Sequence, residues 1–343
     1  MQTRSFTRTL RALVVTLCLL GSSTVLASDQ QRVHLRAEFK PGQSIRYQIE
    51  SQMSVTGTTT TPIANPEGAT QVKQSVSIVL RLDVLKVEPG TNGAPPTMRL
   101  RATYEKSSAA SESDAYDPNS ASLADQYNRL EGRSIEFTVQ PDGSIVDIKG
   151  LEDMLTNPSA AQTVRSWMAG LSSSRGFPRE GIEISQKWSR EQPLSNVPLD
   201  DLFWRTTATY VRNEPCPENL PPGVGATPAE AVARPPQATS ANSTTCAMIL
   251  TQFTIARRGS HNPHADATPE DYRRNGLRTS GAWTGSGESL DSFSLTTGQM
   301  VRSTQSSSQD VDFTVASTNT GSKMSYKGKI ETQTEIFLLP QAP

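Results

Sequence analysis

The densest concentration of side chains able to do chemistry is His261-Asn262-Pro263-His264-Ala265-Asp266, two imidazoles and a carboxylate within six residues. Nitrogen and oxygen donors of this kind suit a borderline divalent ion. The proline between them is a poor platform for helical or strand spacing, and no fourth ligand is in view. The segment therefore reads first as a solvated loop, with His261, His264 and Asp266 kept as weak metal candidates and no metal or other cofactor assigned. A nucleophilic serine would need a G-x-S-x-G elbow to present it, and none is present. The H-E-x-x-H zinc motif, the phosphate-cradling G-x-x-x-x-G-K-[ST] loop and the G-x-G-x-x-G dinucleotide loop are missing as well. No catalytic residue is assigned. A hydrolase or metal-dependent enzyme ranks third among the readings, behind two non-enzymatic ones.

The cysteines carry a different kind of chemistry, set by where the chain resides. Arg4, Arg8 and Arg11 precede an apolar run from Ala12 to Gly21, and Val25-Leu26-Ala27 supplies small residues for a signal peptidase. Residues 1–27 read as a secretory signal cut before Ser28, which places the protein in the periplasm or outside the cell. The apolar run falls short of the about 20 residues a membrane span needs, and no later segment approaches that length, so no transmembrane helix is expected in the mature chain. Cleavage removes Cys18 and leaves Cys216 and Cys246 in an oxidising compartment. A disulfide between them is predicted; the alternative is two buried free thiols.

Charge excludes a further class. The 33 Lys and Arg against 34 Asp and Glu give a net charge of −1, and loss of the three signal arginines takes the mature chain to −4. A dedicated nucleic-acid binder carries a basic surplus instead. Arg32, Arg36, Arg46, Arg99 and Arg101 share the polar parity of early strands and could form a cationic strip, but Glu38, Glu50 and Glu105 stand among them. A wet sheet face is the plainer reading.

The elements that must position these residues are strands. Val33, Leu35, Ala37 and Phe39 alternate with polar residues, Pro41-Gly42 turns the chain, and Ile45, Tyr47 and Ile49 resume the alternation, so the two segments read as consecutive antiparallel strands. From Val76, the residues Ile78, Leu80, Leu82 and Val84 continue it, interrupted by Val79 and Leu85. Met98 to Tyr104 follows. Ile135 to Val139 and Ile145 to Ile148 flank Pro141-Asp142-Gly143 as a hairpin. Further strands are expected at Phe203–Val211, Ala247–Ala256, Gly281–Thr284, Ser289–Leu295, Met300–Ser306, Val311–Val315 and Met324–Leu339. Ser120 is a suitable N-cap for a short helix carrying Leu123, Tyr127 and Leu130, ended by Gly132. Asn157-Pro158 opens another, carrying Val164, Trp167, Met168 and Leu171. Polar loops are predicted near residues 57–70, 107–119, 213–245 and 257–278. The whole reads as a mainly β protein, with residues 28–343 forming a single large antiparallel β domain and two or three short helices covering its sheet.

Phe39-Lys40-Pro41-Gly42 with Tyr47 beyond it, Gly132 ahead of the Pro141-Asp142-Gly143 hairpin, Trp188, and Gly285 to Gly298 leading into the late strands form an ordered series. The series resembles uncharacterised exported bacterial β-rich proteins of a domain-of-unknown-function family. More remotely it is similar to the lipoprotein-carrier (LolA/LppX-like) group. That resemblance implies a strongly curved antiparallel sheet, an incomplete β-barrel whose mouth is closed by helices over an apolar cavity. The long Pro-rich, cysteine-flanked insertion departs from the pattern.

Two functional readings follow. In the first, an exported, non-enzymatic cell-envelope protein holds a lipid or other hydrophobic ligand in the concavity of its sheet, lined by Tyr47, Leu123, Phe137, Trp167, Met168 and Leu171. In the second, the same side chains make an ordinary filled core, and the protein is a structural or protein-interaction module whose partner is another envelope protein.

Overall fold

The computed structural model describes residues 32–35, 39–60, 70–90, 96–114, 120–140, 145–151, 177–178, 180–194, 197–216, 244–258 and 266–340. The chain divides into Met1–Arg32 and Val33–Pro343, and all described secondary structure lies in the second unit. Its strands are β1 (Ser44–Thr60), β2 (Thr70–Glu88), β3 (Thr97–Ser113), β4 (Ser134–Val139), β5 (Ile145–Lys149), β6 (Lys187–Pro193), β7 (Leu202–Pro215), β8 (Thr245–Arg257), β9 (Leu277–Ser294), β10 (Met300–Ser317) and β11 (Lys323–Leu339). Two short helices accompany them, α1 (Ser120–Asn128) and α2 (Glu270–Arg274).

All eleven strands join one open antiparallel sheet in the order β5-β4-β3-β2-β1-β11-β10-β9-β8-β7-β6. Two meanders thus fan outward from a central seam made by the first and last strands, which pair from Arg46↔Leu339 to Thr60↔Ser325. Every other pairing links strands adjacent in sequence, the usual preference of antiparallel neighbours.

The register assigns side chains to two faces. Tyr47, Ile49, Met53 and Val55 share one face with Leu80, Ile78, Gln74 and Val72 of β2 and with Leu338, Ile336, Thr332 and Ile330 of β11. This clad face carries three apolar clusters. One gathers Tyr210, Ile249, Phe293 and Met300 with Leu35, Ile182 and the partly buried Tyr47 and Trp188. A second joins Val84, Leu100, Ala102, Ile135, Phe137 and Leu151. A third, at the opposite strand ends, holds Leu199, Leu202 and Ile255 with Trp204, Trp283 and Phe313 against them. On the other face, Met248 and Leu290 are buried near the β8–β9 end.

The two interruptions in the β2 alternation fall at β-bulges of the β2–β3 ladder, one in each strand. Leu85 is the extra residue between Val84↔Leu100 and Lys86↔Arg99, and it is 37% exposed while Val84 and Val87 both pack inward. One added residue resets the parity of everything beyond it. Glu105 is the extra residue of β3 opposite Val79 and Leu80.

Several expectations are corrected. The segment around Val33 does not form a hairpin with β1. Val33 bridges Ile182 instead, because both edges of β1 are taken by β2 and β11. The predicted loop at 57–70 is shortened by β1 reaching Thr60 and β2 starting at Thr70, and that at 107–119 by β3 running to Ser113. Of the residues expected in the loops near 213–245 and 257–278, residues 213–215 belong to β7, Thr245 and Arg257 to β8, Glu270–Arg274 to α2, and residues 277–278 to β9. Gly281–Thr284 and Ser289–Ser294 belong to the single strand β9, which ends one residue before the expected Leu295, and Met300–Ser306 and Val311–Val315 belong to β10. Strand β6, around Trp188, was not anticipated. In each case Ser, Thr, Gly and Gln residues weaken the apolar alternation, while ladder hydrogen bonds do not depend on it. The expected helix over Val164, Trp167, Met168 and Leu171 lies outside the described residues.

Glycine is required at two places on the clad face. A Cβ on Gly287 would collide with the ring of Phe253 and the Ser306 carbonyl. Gly57 and Gly328 are cross-strand partners, and the Tyr326 hydroxyl lies over both positions, 2.7 Å and 2.8 Å from where their Cβ atoms would stand.

Candidate functional site

Cys216 and Cys246 form a disulfide with a Cα–Cα distance of 4.9 Å. β7 and β8 position it: Glu214 pairs with Cys246, and the Cys216 amide donates to the Thr244 carbonyl at 2.7 Å. The bond ties off the end of this ladder. Closing a loop of this length contributes about 3.5 kcal/mol in the chain-entropy account of disulfides.

Of the residues proposed from sequence to line a hydrophobic cavity, Tyr47, Leu123 and Phe137 are described, and Tyr47 and Phe137 belong to separate clusters. Tyr47 packs against the Tyr210 cluster and its hydroxyl donates to the Met300 carbonyl at 3.2 Å. Phe137, 7% exposed, is a member of the separate Val84 cluster. Leu123 is half-buried on α1, whose Tyr127 lies beside Tyr104 of β3. Burial pushes the Tyr104 phenol above its usual range, with Tyr127 adding to the effect. Trp167, Met168 and Leu171 are outside the described residues, as are His261 and His264.

Asp266 is described, and its carboxylate is occupied. It accepts hydrogen bonds from the Thr268 hydroxyl and, at 3.0 Å, from the Thr268 amide, and Arg278 reaches it at 3.0 Å. The Thr268 hydroxyl, aided by its amide and by Arg278 and Arg273, holds this carboxyl below the ordinary range. Thr268 in turn receives the Thr279 amide at 2.8 Å, so the group pins the segment before α2 to β9. Among the described residues no three His, Cys, Asp or Glu side chains are grouped to hold a metal ion.

Of the arginines on the polar parity, Arg46, Arg99 and Arg101 are likewise engaged, and Arg36 lies outside the described residues. Arg46 meets Glu105 at 2.7 Å and Arg81 meets it at 3.3 Å, which the Glu105 bulge makes possible. Arg99 and Arg101 both meet Glu136 at 2.7 Å, and their hydrogen bonds, Arg101 first, lower the Glu136 pKa. This wing of the sheet is a ladder of paired charges.

Two depressions on the described surface offer space for a ligand. The smaller, about 310 Å³, is lined by Leu194, Val197, Leu199 and Phe203, with Asp200, Asp201, Asp271 and Arg258 at its rim. The larger, about 1050 Å³, crosses seven strands from β3 to β8. Its lining includes two complete rows of the face opposite the apolar clusters. One row runs Ala110, Ser75, Gln52, Gln333, Ser306, Glu288, Gln252, and the next runs Glu112, Lys73, Ser54, Glu331, Ser308, Ser286, Thr254. Sequence reasoning passed over these residues. The one local sign was the run of polar residues around Ser306-Ser307-Ser308 and Thr332-Gln333-Thr334, polar on both parities.

The arrangement offers hydroxyl and amide groups in regular order on a broad, hydrogen-bonding surface. A scan against protein-family models and a search of curated proteins each returned no match.

Proposed function

We propose that this chain is an exported, non-enzymatic envelope protein that acts as an interaction module, with its apolar side chains spent on a filled core and its partner met by the exposed sheet. The observation that carries this reading is the division of labour between the faces. Tyr47 and Phe137 are committed to two distinct clusters, and the seven-strand depression is lined mainly by Ser, Thr, Gln and Glu. A hydrophobic-ligand carrier calls for the reverse, a cavity lined mainly by apolar side chains with a few polar groups. Export is supported by the Arg-flanked apolar run of residues 1–27 and fits a disulfide, which persists in oxidising compartments.

Native mass spectrometry of protein purified from the exported fraction, combined with titration of a fluorescent apolar probe, tests the reading. The expected result is the bare mass of the oxidised chain and no probe uptake. A lipid-sized adduct released on organic extraction would restore the carrier reading.

A further inference from the structure

We propose that the seven-strand depression binds an extended neutral glycan laid across the strands; this rests on the reading of the chain as an interaction module rather than a lipid carrier. Strands lie about 4.8 Å apart, so each row of the depression repeats a side chain at roughly that interval and extends roughly 29 Å from β3 to β8. That interval is close to the length of one sugar residue in an extended chain. The two rows are separated by two residues along each strand, about 7 Å, so a chain lying between them is within reach of both.

The side chains fit the same occupant. Gln52, Gln333 and Gln252 stand in one row, and Ser54, Ser308 and Thr254 in the other. Amides and hydroxyls each donate and accept, which is what a sugar hydroxyl also does. These six form no side-chain hydrogen bond among the described residues, in contrast to the Arg46, Arg81, Arg99 and Arg101 wing, where guanidinium groups are matched to carboxylates. Hydrogen bonds exchanged with water here can therefore pass to a ligand without breaking any within the sheet.

Charge and apolar content exclude competitors. Glu331 is paired with Lys329, and with Glu112 and Glu288 the lining carries three carboxylates against Lys73, a balance that does not attract polyanions. The two rows contain no large apolar side chain to hold an acyl chain. Phe253, which contributes to the lining, is 9% exposed and packed edge-on against Trp204, with ring centroids 5.2 Å apart. A basic peptide would satisfy the charge but not the repeated neutral amides, and it is the rival that the test must separate.

The oxidised mature chain is titrated calorimetrically with cellohexaose, with chitohexaose and with hexalysine, at low and at physiological salt. The expected result is binding of at least one hexasaccharide, insensitive to salt, and weakened by about tenfold or more in Gln52→Ala/Gln333→Ala through loss of two hydrogen-bonding groups. Ser308→Arg, which obstructs the second row, should weaken it similarly, while Arg99→Ala on the paired wing leaves it unchanged. Thermal melts of each variant show that the fold is retained. Salt-sensitive binding of hexalysine alone, no binding of either sugar, or sugar binding indifferent to both row variants would overturn the proposal. A clean native mass with no sugar binding would remove only the glycan assignment, whereas a lipid adduct would remove the reading beneath it.

Discussion

The clustered end of the sheet and its central belt are built from the same strands but held by different forces. At the end marked by the disulfide, Tyr210, Ile249, Phe293 and Met300 pack on one face while Cys246, Met248 and Leu290 are buried on the other. In the belt, Ser51, Met53, Gln74, Thr332, Thr334 and Ser307 occupy the clad face, and Gln52, Ser54, Ser306, Ser308 and Gln333 the opposite one. Apolar burial supplies most of the free energy of folding, so the end should carry the stability. The belt should be kept in register by its ladders and by what flanks it. A chain can thus extend a broad polar surface as long as each strand enters an apolar cluster elsewhere along its length.

Substitutions sharpen this contrast by their size. Ile249→Ala, at a site 2% exposed, should destabilise the protein by about 3 kcal/mol in urea denaturation, the usual scale for deleting a core aliphatic group. Cys246→Ser should cost about as much, roughly 3 kcal/mol, and reduction of the wild-type protein should reproduce the loss. Equal midpoints for oxidised and reduced protein would show that the bridge does not hold the end together. Gly287→Ala should cost about 2 kcal/mol, because Phe253 and the Ser306 carbonyl must move to admit a methyl group. Pairing this change with Phe253→Leu should recover part of that loss.

The charged wing gives a smaller, pH-dependent effect. The Glu136 pKa is lowered by Arg101 and Arg99, so its contribution is present above the unfolded glutamate value of about 4.3 and is lost as pH falls through the lower folded value. Glu136→Gln should lower the neutral-pH midpoint slightly and flatten the acid limb of stability by the same small amount in that window, as expected for an exposed ion pair. An identical acid limb in mutant and wild type would argue that the pair forms no stronger contact than its neighbours. Least of all, Ser307→Ala in the belt should shift stability by less than about 0.5 kcal/mol. A loss comparable to Ile249→Ala would abolish the distinction between belt and end.

Legibility from sequence followed the same division. Where strands feed the clusters, alternation is visible: Ile45, Tyr47 and Ile49; Leu80 and Leu82; Ile135, Phe137 and Val139. Even the faults in the pattern were informative, since Val79 and Leu85 fall where the register shifts. The hairpin of β4 and β5 and the Cys216–Cys246 bond were also readable, the first from turn chemistry and the second from counting thiols in a chain expected to be exported. In the belt the signal fades. Ser286-Gly287-Glu288 and Ser306-Ser307-Ser308 are polar on both parities, so β9 and β10 each looked like two short strands separated by a gap. Among the site residues, Tyr47 and Phe137 were recognised as inward-facing, but no local feature assigned them to different clusters.

By itself the sequence determined the backbone habit, the parity of the cluster-forming residues and the pairing of Cys216 with Cys246. These depend on neighbours a few residues away or on composition and compartment. The tertiary structure alone decided that β1 and β11 meet at the centre, which bulges reset the faces, and that Gln52, Gln333, Ser306 and Gln252 fall into one row. Such rows are set by pairing between segments far apart in the chain, and a one-residue slip in any ladder would move a side chain to the other face.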